Sequence, residues 1–220
     1  MTQRQIVNGL GYYPVPNGSL YPSVTTVLSE TKSDAEKLSL AKWRESVGEE
    51  KAMEGATRGT EIHTLCEKFF DIQSEIYVEE KAIEISELAS PYWGNMKHLL
   101  HRTSPVMIEE FVYHDDLKYA GRFDCYGSFD DHENLVIDFK TSGKPKQAKW
   151  IQDYFIQATA YAMAIEHTLN QQVDGIAILM ASPERPQVFH LARYEMVQFK
   201  KLWIDRLNTF HSIHSLYETK

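Results

Sequence analysis

Cysteine is nearly missing from this sequence of 220 residues: Cys66 and Cys125 are the only two, far apart and in no CxxC pair. A structural zinc site or an iron–sulfur cluster draws on about four such ligands, so neither organises this chain. Two isolated thiols fit a reducing compartment. Positive charge is also short, with 23 Lys and Arg against 31 Asp and Glu and a net charge of −8. That argues against a surface coated in basic residues for bulk nucleic-acid binding, while leaving room for a local basic groove. No apolar run approaches the ~18 residues of a membrane span. There is no internal repeat, no low-complexity tract, no Gly/Ser linker, no Walker loop, no GxGxxG and no GxSxG. The segment 1–20 holds one basic residue, Arg4, and no apolar core. It therefore resembles neither a secretory signal nor an Arg-rich presequence, and a cytoplasmic protein is expected.

What remains is an ordinary globular composition, 43% hydrophobic and 25% charged, in a chain long enough to bury its own core. Asn8-Gly9, Pro14, Pro16 and Asn17-Gly18 mark residues 1–20 as extended pieces joined by turns. Ser23, ahead of Val24, Val27 and Leu28, is a candidate cap for a first helix. A second helix is expected from Ser33 or Asp34 to Gly48, and a third over 49–71 with the apolar stripe Ile62, Leu65, Cys66 and Phe69. A fourth should cover 79–102, broken near Pro91. The period then changes to alternation. Segments 106–113, 119–129 and 135–141 read as strands of an antiparallel meander, with Asp115-Asp116 and Asp130-Asp131 in the connections. A helix over 148–169, an apolar central strand over 173–181, an edge strand over 187–191 and a closing helix over 194–216 complete the order. The expectation is one α/β domain over 1–220: a mixed sheet with flanking helices over 105–220 and a mainly helical half over 1–104.

The chemistry gathers in Gly121-Arg122-Phe123-Asp124 and Val136-Ile137-Asp138-Phe139-Lys140-Thr141-Ser142. Side chains alternate along a strand. Leu135, Ile137 and Phe139 are thus expected to face a core, with Asp138 and Lys140 together on the other side. Asp124 should point away from Phe123 and Cys125. Pairing these strands would bring Asp124, Asp138 and Lys140 into one shallow site. Carboxylates are hard ligands suited to Mg²⁺ or Mn²⁺. Such an ion acidifies water and stabilises charge on a phosphoryl oxygen, and a neighbouring lysine offsets transition-state charge. Phosphodiester hydrolysis uses these parts. An Asp-x-Lys step alone is more often an ion pair on a solvated strand. A carboxylate pair alone also serves glycosidases, where Lys140 has no role.

The whole pattern resembles the PD-(D/E)xK nuclease superfamily of the RecB type. Gly-x-x-Asp followed by hydrophobic-hydrophobic-Asp-x-Lys-Thr-Ser looks like its core. Arg58-Gly59-Thr60-Glu61-Ile62-His63 is similar to its upstream Gly-x-x-x-His helix motif, and Gln157-Ala158-Thr159-Ala160-Tyr161 to its following Gln-x-x-x-Tyr motif. Pro22-Ser23-Val24-Thr25 and the extension Lys144-Pro145-Lys146 resemble the branch of mitochondrial genome-maintenance, bacteriophage and bacterial exonucleases.

The resemblance implies a restriction-endonuclease-like core whose helical half arches over a substrate channel. It implies that Asp124 and Asp138 hold Mg²⁺ or Mn²⁺ together with the Phe139 carbonyl and His63, and that Lys140 is the catalytic lysine. An acidic residue on the first strand is also implied; Glu109 and Glu110 are both available, and the spacing back from Gly121 favours Glu109. Gln157 and Tyr161 would reach over the site to DNA or to Lys140. Lys144, Lys146 and Lys149 belong to the acid-free run 140–149. They would contact phosphates, joined by Thr141, Ser142, Arg58 and, at a helix start, Ser23 and Thr25. Trp43, Tyr92, Trp93 and Trp150 could stack on bases but are expected in the core. His98/His101 and His211/His214 lack further ligands nearby and are not counted as metal sites. The activity implied is a metal-dependent exonuclease on single-stranded DNA with a free end. It would act as a monomer in replication, repair or recombination, in the cytoplasm of a bacterium or phage-infected cell. Two alternatives stay open: a duplex-end-processing nuclease of the same core, and a non-catalytic DNA-end-binding module.

Overall fold

In a computed structural model, which describes residues 2–74 and 84–215, the N-terminal turn residues build a sheet of their own. Asn8 and Gly9 both take positive φ, 51° and 81°, the twist that closes a two-residue hairpin. It joins β1 (Gln5–Val7) to β2 (Leu10–Pro14), and β3 (Leu20–Pro22) pairs antiparallel on the other side of β2. The half over 1–104 is thus not helical from its start. Helix α1 (Val24–Glu30) follows at once, with the Ser23 side chain accepting from the Thr26 N–H. Helix α2 (Asp34–Val47) opens with a reciprocal capping box between Ser33 and Glu36, and α3 runs Glu49–Ser74.

The expected helix over 79–102 is shorter. Residues 79–83 lie outside the described residues, 84–89 are not helical, and α4 spans Ser90–Leu100. Pro91 sits in its first turn, where the missing N–H has no partner to lose; proline here starts the helix and does not break it.

The main sheet has the order β4 (Thr103–His114), β5 (Tyr119–Phe129), β6 (His132–Thr141), β7 (Gly175–Ala181), β8 (Pro186–Ala192). The first three form the expected antiparallel meander. Strand β7 pairs parallel to β6 and antiparallel to β8, so the sheet is mixed. The β6–β7 crossover carries a 3₁₀ turn (Ala148–Trp150) and α5 (Gln152–Leu169); α6 (Val197–Ser215) closes the fold. All residues of β7 are buried, as its unbroken apolar run requires of a strand covered on both faces. One face packs Val27, Phe155 and Trp203, from α1, α5 and α6, onto Tyr119, Phe123 and Val136. The other packs Ile62, Phe70, Trp93 and Met96, from α3 and α4, onto Cys125, Ile137 and Phe139.

Two aromatic assignments are corrected. Tyr92 and Trp93 are core, but Trp43 and Trp150 are exposed, at 47% and 58%. Helix α2 buries none of its residues, and the chain turns inward only at Ile151, one residue after Trp150.

Candidate active site

The site lies where β5 and β6 part. Their ladder runs from Phe129↔His132 to Cys125↔Ile137, and in that register Asp124 and Asp138 come next. In place of a further ladder bond, the Phe139 N–H donates to Asp124 Oδ2 at 2.7 Å. Alternation fails at the same point. Phe123 packs into one core and Cys125 into the other, and on β4 Met107 and Val112 share the first core although simple alternation would separate them. The cause sits opposite Asp124: Glu109, flanked by the pairs Ile108↔Cys125 and Glu110↔Phe123, adopts φ 51°. A left-handed non-glycine residue inside a strand re-aims the side chains around it. The expectation that Phe123 and Cys125 share a face is therefore corrected, and Glu109 and Asp124 line one cleft.

One ligand atom each from His63, Glu109 and Asp124 lie within 4.8 Å of one another, and His63 Nδ1 is 3.4 Å from Asp124 Oδ1. Helix α3 brings His63 in, its ring packed edge-on against Phe139. Glu110, the other acid considered, is exposed. Beside this cluster Lys140 Nζ sits 2.5 Å from Asp138 Oδ2, and Gln157 Nε2 donates to Asp138 Oδ1 at 3.2 Å. Asp138 is 1% and Asp124 7% exposed, so the carboxylate pair is buried, Asp138 against α5 and Asp124 against α3, rather than on a shallow, solvated face.

The electrostatics follow from this burial. Burial raises Glu109 to about 7, with Asp124's charge adding to it and His63 and Arg122 opposing. Burial likewise raises Asp138, against the pull of Lys140. Asp124 is held below the ordinary carboxylate range, because His63, Lys140 and the Phe139 N–H outweigh its own burial. Lys140 is raised: burial works against its charge, but Asp138 and Asp124 win. His63 is raised chiefly by Asp124. Burial pushes both thiols up, so Cys66 and Cys125 serve as core, not as nucleophiles or ligands.

Other expected contacts divide. Tyr161 is buried, hydrogen-bonded to Gln157, and so does not reach outward to DNA; Gln157 binds Asp138 rather than Lys140. Ser23 is 2% exposed and spends its hydroxyl on Thr26, a cap rather than a surface contact. Ser142 is buried and donates to the Lys144 carbonyl. Thr25, Lys144, Lys146 and Lys149 are exposed, and Arg58 lies over the Tyr92 ring with Nε 3.3 Å from Thr141 Oγ1.

Sequence reasoning missed Arg4 and Tyr13. The N-terminal sheet lays them along the cleft of Gly59, Thr60, His63, Thr64, Glu109 and Asp124. No local spacing announces them, since these residues lie far apart in the sequence.

Gly121 explains the first glycine of its motif. A Cβ there would come within 2.6 Å of Tyr161 Cε1. Gly121→Ala is expected to push the Tyr161 ring, and with it Gln157, off Asp138. Overpacking of this kind costs about 1–3 kcal/mol, read as a lower melting temperature, and cleavage should fall in step.

The donor set is carboxylate oxygen with one imidazole nitrogen; burial raises Glu109 and the neighbouring Asp138, while Asp124 stays low. That fits a hard divalent cation rather than a thiolate-seeking one. A forked strand pair carrying acids and an Asp-x-Lys end defines a class, and residues 35–212 match the family model of the PD-(D/E)XK nuclease superfamily; the chain belongs to that superfamily. Curated relatives carry one name. The chain is 27% identical over 208 residues to mitochondrial genome maintenance exonuclease 1 of Homo sapiens, covering 87% of this chain and 58% of that protein. It is 29% identical over 205 residues to the Xenopus tropicalis protein of that name, with 88% and 58% covered. For the Mus musculus protein the identity is 26% over 211 residues, with 90% and 60% covered. The chain thus spans about three fifths of these relatives' length, 58–60%.

Proposed function

We propose that this nuclease is a Mg²⁺- or Mn²⁺-dependent exonuclease that degrades single-stranded DNA from a free end, in replication, repair or recombination. The observation that carries the reading is the fork itself: His63, Glu109 and Asp124 converge beside the Lys140–Asp138 pair. His63, Glu109, Asp124 and Asp138 would hold the cation, with the Phe139 carbonyl on the same strand end. When bound, it supplies Lewis-acid stabilisation of phosphoryl charge and a more acidic water. Lys140, kept cationic by Asp138 and Asp124, donates to negative charge as it grows on the phosphate, and does not act as a base. Gln157 holds Asp138 in place, and Tyr161 holds Gln157.

The name shared by the relatives favours exonuclease action. An acidic chain whose exposed cations Lys144, Lys146 and Lys149 gather on one loop favours a narrow path over binding along a duplex. Exposed Trp150, next to Lys149, offers a stacking face for an unpaired base.

End-labelled linear single strands, circular single strands and blunt duplex, each incubated with Mg²⁺ or Mn²⁺, test the reading. Loss of the linear single strand alone is expected. Cleavage of the circle would make the enzyme an endonuclease; preference for the duplex would favour the duplex-end alternative; binding of ends without cleavage would favour the non-catalytic module.

A further inference from the structure

The cleft has a second end of opposite charge. Its wall passes through Arg4 and Tyr13, and the hollow beyond them is lined by Thr2, Gln3 and Arg122 with the same Arg4 and Tyr13. Arg4 is not a loose surface arginine. Its Nη2 donates to Thr26 Oγ1 at 2.7 Å, an oxygen that also takes the Gly11 N–H and the Ser23 hydroxyl. Its guanidinium lies flat across Gly11, where any Cβ would overlap it. Arg122 marks the boundary between the two ends, with Nε 3.8 Å from Glu109 Oε2. Tyr13 lines the same hollow as Arg4 and Arg122, and its phenol, raised by burial, is pulled back down by both cations.

An acidic end that takes a cation, continuous with a fixed basic end, suits a ligand with phosphates in series. We propose that Arg4 and Arg122, with Tyr13, form a subsite for the non-bridging oxygens of the phosphodiester next to the one cleaved. This rests on the nuclease reading above. Arginine forks match such oxygens in pairs, and the Gly11 and Thr26 supports lower the ordering cost of binding.

The test measures binding of a short fluorescent single strand in EDTA, and cleavage in Mn²⁺, for the wild type, Arg4→Gln, Arg4→Lys and Gly11→Ala. Melting curves verify folding of each variant. Arg4→Gln is expected to weaken binding about tenfold. It should lower the salt slope by about 0.7, as for one phosphate contact on a single strand, and raise KM with kcat within about twofold. Arg4→Lys should recover part of the loss. Gly11→Ala, which keeps the charge but displaces it, should lose affinity too. A neutral methylphosphonate, moved along the strand, should cost the wild type the same factor at one linkage and cost Arg4→Gln nothing further there. Undiminished binding by Arg4→Gln, or an undiminished methylphosphonate penalty in it, would overturn the subsite. Competition by inorganic phosphate that vanishes in Arg4→Gln would make it a site for free phosphate and overturn the assignment to an adjacent linkage. A wild type that cleaves nothing would sink the nuclease reading alone, because the EDTA arm still reads Arg4.

Discussion

Lys140→Ala is expected to lower kcat about a thousandfold while leaving the affinity for a single strand within a few fold. The ammonium sits 2.5 Å from Asp138 and is held cationic by two carboxylates, so its loss removes charge stabilisation needed most in the transition state. The same change leaves Asp138 buried with, among the described residues, Gln157 as its hydrogen-bond partner, and stripping one member from a buried pair destabilises by about 3–5 kcal/mol unless the survivor takes a proton. The sign of the pH effect follows. Asp138 is already raised by burial, and without Lys140 it rises further. An acid whose folded pKa exceeds its unfolded one loses stability as pH rises through the folded value. The variant should therefore melt much closer to wild type at about pH 5 than at about pH 8. Single-turnover cleavage and melting at both pH values check the two halves; wild-type rates in Lys140→Ala would remove lysine from the mechanism.

Glu109→Gln should gain stability and lose activity together. Burial and Asp124 raise Glu109 to about 7 from an ordinary 4.5. The unfolded chain therefore ionises it first, and the folded protein loses stability as pH rises from 4.5 through 7, with the full deficit remaining above that. Glutamine does not ionise. After discounting for its partly solvated side chain, the metal-free variant should be more stable by roughly 2 kcal/mol at about pH 8, near 5 °C in melting temperature, and nearly unchanged at about pH 5. Adding Mn²⁺ should reverse the order, because ligand binding stabilises only the form that binds it, by about 2.7 kcal/mol at a hundredfold excess over Kd. Calorimetric melts with EDTA and with Mn²⁺ read both effects. A variant less stable than wild type in EDTA at the higher pH would mean that Glu109 is a structural partner of Arg122 and not a charge in want of a cation.

The parts of the site that the sequence made legible are local. Asp138-x-Lys140 lies on one strand end, Gly121-x-x-Asp124 on its neighbour, and Gln157 and Tyr161 one helical turn apart, so alternation and helix spacing suffice. The capping serine Ser23 and the start of the second helix at Ser33 or Asp34 are equally readable. What stayed hidden depends on tertiary context. Nothing in Glu109-Glu110 announces that Glu109 turns left-handed, yet alternation fails on both strands beside it. Strands of three residues, as in β1 and β3, are too short for a period, so Arg4's journey to the cleft was invisible. Trp43 and Trp150 read as interior because large aromatics usually are. Helix α2, with no buried residue, and the 3₁₀ turn before Ile151 leave them outside.

The central claim is that the fork between β5 and β6 hydrolyses phosphodiesters only when its acids hold a divalent cation. Cleavage of an end-labelled linear single strand, followed as free Mn²⁺ is raised in an EDTA-buffered solution, tests it most directly. The expected curve starts at zero, rises with Mn²⁺ to saturation, and stays flat for Asp124→Asn. Hydrolysis at full rate in excess EDTA, or an Asp124→Asn curve that matches wild type, would contradict it.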